Sequence, residues 1–68
     1  MNAVEPKTDV VVQLTGIDSN TLSLCSAVTR ELKANGYRDL AKEVQNRVFK
    51  QESQDDAIQM FMEYVHVE

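Results

Sequence analysis

The residue types and spacing that point most directly to chemistry are gathered in one turn, Gly16, Asp18, Ser19, Asn20 and Thr21. The glycine permits a sharp bend, and the four side chains after it can accept or donate hydrogen bonds just ahead of an apolar-periodic segment. The open amides and positive dipole end of a helix beginning there would hold a phosphate or a carboxylate group. The same residue types also make an ordinary turn and cap, so an anion site needs a second, cationic contact. Arg30, Lys33, Arg38 and Lys42 are the candidates, with Arg38 and Lys42 as the expected ligand-binding pair.

Other chemistry is thinly represented. Glu52, Asp55 and Asp56 form an acidic group, but acids at a helix start serve its dipole. His66 is the only histidine, and no serine or cysteine is placed by motif to use it. A single cysteine, Cys25, excludes an intramolecular disulfide and falls on an apolar helix face, where cysteine acts as a small hydrophobe. Zinc spacing, a glycine-rich phosphate motif and a nucleophile motif are all missing. The expectation is a protein that is not an enzyme and that uses no metal and no cofactor.

The elements that must position these residues follow from periodicity. Residues 9 to 15 contain the run Val10-Val11-Val12-Gln13-Leu14, a strand with Val10, Val12 and Leu14 on its apolar face. A first helix from about Ser19 to Asn35 carries Leu24, Cys25, Val28 and Leu32 at helical spacing, with Leu22 extending that face. Asp18 or Ser19 would cap it, and Asn35-Gly36 is its stop signal. A second helix runs from about Tyr37 to Gln51 with Tyr37, Leu40, Ala41, Val44 and Val48 on one stripe, completing a helical hairpin. Ser53-Gln54-Asp55-Asp56 resembles a capping box that opens a third helix, with Ala57, Ile58, Phe61, Met62 and Val65 on its apolar face. Residues 64 to 68 alternate, and helix and strand both remain open for them.

The fold class is therefore α+β and mostly helical, one N-terminal strand followed by three helices, with a possible short C-terminal strand. Residues 1–8 are expected to be a flexible N-terminus and residues 9–68 a single domain. Sixty-eight residues bury little core. A homo-oligomer is expected for that reason, with Val11, Met60, Phe61 and Tyr64 as its interface, because Met60 and Tyr64 widen the third helix's apolar face.

The net charge of −4 is unevenly distributed. Six basic residues stand between positions 30 and 50 against three acidic ones, whereas positions 51 to 68 hold five acids and no lysine or arginine. No apolar run approaches the roughly 20 residues of a membrane span, and the start has no basic lead before an apolar segment, so a cytoplasmic protein is expected.

Several positions together are familiar. Val12, Leu14, Gly16, Asp18 and Asn20, then Gly36-Tyr37-Arg38-Asp39, then Met62-Glu63-Tyr64-Val65-His66-Val67 resemble a group of small, uncharacterised bacteriophage and bacterial mobile-element proteins. Their shared pattern is a V-x-L-x-G-x-D-x-N start and an M-E-[YW]-V-x-V end. Ser19, where these proteins tend to have glycine, and Thr21-Leu22 depart from it. The resemblance implies a phage or mobile-element setting in a bacterial host and lends no catalytic residues.

The functional expectation is stoichiometric binding, to a host protein or to a small anionic, nucleotide-like metabolite sequestered between subunits. The strand-helix-helix order also raises similarity to ribbon-helix-helix DNA-binding regulators. There Gln13 and Thr15 would read base edges, while Asp9 on the same face would meet phosphate repulsion.

Overall fold

The computed structural model describes residues 5–14, 16 and 20–68. The valine run forms β1 (Val11–Val12), and a second strand, β2 (His66–Val67), lies parallel to it with Val11 opposite His66 and Val12 opposite Val67. The His66 N–H donates to the Val10 carbonyl at 2.8 Å, the Glu68 N–H to the Val12 carbonyl at 2.9 Å, and the Leu14 N–H to the Glu68 carbonyl at 2.8 Å. The C-terminal residues are thus a strand, and the alternation of Val65, His66 and Val67 was the signal for it. Val10 and Val12 face inward and are buried while Val11 and Gln13 are exposed, as the strand pattern predicts.

The N-terminus enters the fold earlier than expected. Residues 1–4 lie outside the described residues, but Lys7 and Thr8 continue the ladder, their amides donating to the Glu63 and Tyr64 carbonyls at 3.0 and 3.2 Å. Thr8 is buried, and its hydroxyl donates to the Tyr64 carbonyl at 2.8 Å while accepting from the Val10 N–H at 3.1 Å. A threonine in a mostly polar segment carries no periodic signal, so this anchor is invisible in the sequence.

Parallel strands cannot be joined by a hairpin, and three helices supply the crossover. Helix α1 (Thr21–Ala34) buries Leu24, Cys25, Val28 and Leu32 on one stripe. Asn20 is its cap, the side chain accepting from the Leu22 N–H at 2.8 Å; Asp18 and Ser19, the expected caps, lie outside the described residues. At the other end Gly36 takes φ +88, the Gly36 N–H donates to the Lys33 carbonyl and the Tyr37 N–H reaches back to Leu32. That pair of bonds is the Schellman closure for which Asn35-Gly36 was the signal.

Helix α2 (Arg38–Val48) buries Ala41, Val44 and Val48 against α1 and stops three residues short of the expected Gln51. Helix α3 (Gln54–Met62) starts where the capping box placed it, the Ser53 hydroxyl accepting from the Asp56 N–H at 3.1 Å. Its inward stripe is Ala57, Met60 and Phe61, continued by Tyr64 at i+7.

This corrects two expectations. Met62 turns outward at 49 % exposure instead of joining the core. Met60, Phe61 and Tyr64, expected at an interface, are 2 %, 0 % and 1 % exposed and fill the centre of the chain's own core beside Val28, Leu32, Val44 and Val65. Helices α1 and α2 together with β2 provide the surface that absorbs them, and the periodicity of one helix does not count that surface.

Candidate functional site

Gly16, with φ +87 and exposed, makes the turn after β1. Of the residues expected around it, Thr15, Asp18 and Ser19 lie outside the described residues, Asn20 caps α1, and Thr21 opens it. Arg38 begins α2 and Lys42 follows one turn later, both exposed. Because Arg38 follows the C-terminal end of α1 and Asn20 precedes its start, the 14-residue helix sets them about 20 Å apart. Within one chain Arg38 therefore stands well away from Asn20.

A different set of side chains does converge. Ser26, Arg30 and Lys33 recur at i, i+4 and i+7 on α1, and with Ser23 and Thr29 of the same helix and Gln45 of α2 they line a groove of about 560 Å³. Sharing Ser26, Thr29 and Gln45, a second bay of about 460 Å³ continues the groove toward the start of α1. Leu22, Cys25, Val48 and Phe49 wall that bay. Phe49 is 77 % exposed and Leu22 56 %, so Leu22 does not extend the core stripe as expected; it faces the bay. The groove thus has a cationic end and an apolar, aromatic end.

Its electrostatics are set by what the cations lack. Among the described residues the ion pairs are Lys7 with Glu43 and Arg47 with Glu63, which leaves Arg30 and Lys33 without a carboxylate partner. Glu31 stands beside Arg30 on its other side, lining a smaller cavity of about 240 Å³ against Val11 and Gln13 of the β1 segment. The Thr29 hydroxyl is committed to the Cys25 and Ser26 carbonyls at 3.0 and 3.2 Å, whereas Ser26 is exposed. Burial pushes the Cys25 thiol up, so it contributes a neutral wall to the bay.

A separate groove of about 760 Å³ runs along β2, walled by Pro6, Gln59, Met62, Val65 and Val67. Next to it lies a polar clasp. Arg47 donates to both carboxylate oxygens of Glu63 at 3.0 and 3.2 Å and to the Tyr64 hydroxyl at 3.1 Å. The hydrogen bond to Glu63, then that to Tyr64, hold the Arg47 guanidinium above its ordinary range. Lys7 sits 4.9 Å from the centre of the Tyr64 ring and 3.9 Å from Glu43. Every polar member of this clasp is already paired, which gives it the character of a structural tie.

The remaining candidates are dispersed. His66 is exposed on β2, and among the described residues no group of three or more histidine, cysteine or acidic side chains could hold a metal ion. Gln13 is exposed and Thr15 lies outside the described residues. One edge of β1 is hydrogen-bonded to β2 of the same chain, so the ribbon of two paired N-terminal strands that ribbon-helix-helix regulators use would have to form on the other edge. Among the described residues no helix is long and apolar enough to cross a membrane.

Leu22 and Phe49 were the residues whose place the sequence concealed. Both look like core residues by type, but Phe49 lies off the buried stripe Ala41, Val44 and Val48, on the same row as exposed Lys42 and Gln45. Comparison with protein families, with curated proteins and with solved structures finds no match to this chain.

Proposed function

We propose that this protein is a non-enzymatic binding module that takes up a small anionic ligand stoichiometrically in the groove between α1 and α2. The observation that carries the reading is the pair Arg30 and Lys33, which line an open groove with no carboxylate partner among the described residues. Cations aligned along one helix face beside serine hydroxyls and a glutamine amide are the donor set a phosphate or carboxylate group requires. The net charge of −4 supports a compact anion over a long polyanion, because the acidic positions 52, 55 and 56 would repel an extended phosphate chain.

Titration calorimetry with inorganic tripolyphosphate at low salt tests this directly. Binding weakened about 100-fold in the Arg30→Ala/Lys33→Ala variant, and retained in Arg38→Ala/Lys42→Ala, is the expected result. Absence of binding in the wild-type chain, or loss only with the second pair, removes the groove from consideration.

A second reading, docking of a host protein, is supported by the 760 Å³ groove along β2 and by Met62 exposed within it. Met62→Asp would abolish such a contact and leave tripolyphosphate binding unchanged. Self-association belongs to the proposal as well, on the small size of the chain and the exposed side chains of Val11, Leu22, Tyr37, Phe49 and Met62. The proposed setting, the cytoplasm of a bacterial host carrying a phage or mobile element, rests on the motif resemblance.

A further inference from the structure

We infer that the ligand of the α1–α2 groove is a nucleoside polyphosphate, its base seated against Phe49 and Leu22 and its phosphates on Arg30 and Lys33. The inference rests on the anion-binding reading above and goes beyond it in assigning the apolar end of the groove.

Three observations carry it. The two bays are continuous, since Ser26, Thr29 and Gln45 belong to the walls of both. The far bay contains an aromatic ring 77 % exposed to solvent, a position from which burial of that ring in the core gains nothing and a flat partner gains its full face. Leu22 and Arg30 are eight residues apart on α1, so the aromatic end and the first cation lie about 12 Å apart along the helix axis, a span suited to a nucleoside carrying several phosphates.

The chemistry at each end is distinct. A base is a flat π-surface that stacks on an exposed phenyl ring irrespective of its sequence identity. Asn46 lines the same bay as Phe49, and Gln45 stands where the bays meet. Each offers an amide with both a donor and an acceptor, which is the complement of a base edge. Arg30 presents a planar fork to phosphate oxygens and Lys33 a point charge one turn further on, the order in which a polyphosphate tail would pass them. An isolated inorganic anion would use only the second half of this groove.

The experiment is an amide-resolved NMR titration of the full chain with ATP, tripolyphosphate and adenosine as three separate probes, repeated on Phe49→Ala and on Arg30→Ala/Lys33→Ala. Phe49 is a surface residue beyond the end of α2, so its replacement leaves the thermal midpoint unchanged. Expected are shifts at Leu22, Ser26, Arg30, Gln45 and Phe49 with ATP, and affinity at least tenfold above that for tripolyphosphate and for adenosine. Phe49→Ala should lower ATP affinity tenfold or more and leave tripolyphosphate unaffected.

If tripolyphosphate binds as tightly as ATP and Phe49→Ala changes nothing, the nucleoside assignment is overturned while anion binding stands. If neither probe binds, both readings fall. Tight binding of a single-stranded oligonucleotide with no measurable ATP binding would overturn the inference in favour of a nucleic-acid terminus as the source of the same base and phosphate chemistry.

Discussion

The Tyr64 hydroxyl bridges two residues of α2, donating to Glu43 Oε1 at 3.0 Å and accepting from Arg47 Nη1 at 3.1 Å, while its ring is buried at 1 % exposure. Arg47 in turn grips Glu63, so one side chain locks the end of α3 to the middle of α2. Tyr64→Phe keeps the ring and deletes the bridge. It should cost about 1–2 kcal/mol in urea unfolding, because two bonds to partly exposed charged partners are lost and water replaces part of them. An unchanged midpoint would mean that Arg47 and Glu63 hold the junction without the hydroxyl. Tyr64→Ala should cost about 3–5 kcal/mol through the void left between α2 and the sheet.

Thr8 has a disproportionate role for its size. Its hydroxyl satisfies both the Tyr64 carbonyl and the Val10 amide from a buried position. Thr8→Val preserves shape and removes both bonds, so the Val10 amide loses its hydroxyl acceptor while the Tyr64 carbonyl keeps the Thr8 N–H, at a cost of about 1–3 kcal/mol. Hydrogen exchange should show faster opening of the Val10 amide, with the α1 amides unaffected.

Gly36 closes α1 with φ +88, and nothing lies within 4 Å of where a Cβ would stand. Gly36→Ala therefore introduces backbone strain without a clash, and about 1–2 kcal/mol of destabilisation is expected. A variant of unchanged stability would show that Asn35 and Tyr37 can hold the Schellman bonds in another local geometry.

Cys25 links stability to alkaline pH. Its thiol is raised above its ordinary 9.0 by burial, so the folded state favours the protonated form. The stability this contributes is fully present below pH 9.0 and is lost as pH rises through and beyond that value, where the unfolded chain can ionise and the folded one resists. Denaturation curves should fall more steeply with rising pH for the wild type than for Cys25→Ala. Maleimide should label the native thiol slowly at neutral pH and rapidly in denaturant.

Much of the architecture was legible in local signals. Asn35-Gly36 and Ser53-Gln54-Asp55-Asp56 set helix boundaries within a residue or two, because caps are chemistry between near neighbours. The inward faces of β1 and α1 followed from period alone. What escaped detection depends on distance in sequence. Thr8 answers to Tyr64, 56 residues away, and no local pattern announces that meeting. Met60, Phe61 and Tyr64 looked like surplus apolar surface, but α1, α2 and β2 close over them. The candidate site was half visible. Arg30 and Lys33 stand among the candidate cations, while Leu22 was expected to extend the core stripe of α1 and no motif singled out Phe49.

The pairing of β1 with β2 joins residues about 55 positions apart, Val11 with His66, and the helical hairpin between them is made of neighbours. Closing so long a loop early is entropically unfavourable, whereas α1 and α2 can fold together as soon as both exist. During synthesis, then, the valine run emerges well ahead of β2 and must wait for it before its backbone finds a partner. Until residues 66–68 have emerged, that edge of the valine run stands uncovered. A nascent chain stalled or truncated before Val65 would carry a formed hairpin and an orphaned strand, a species for chaperones to hold.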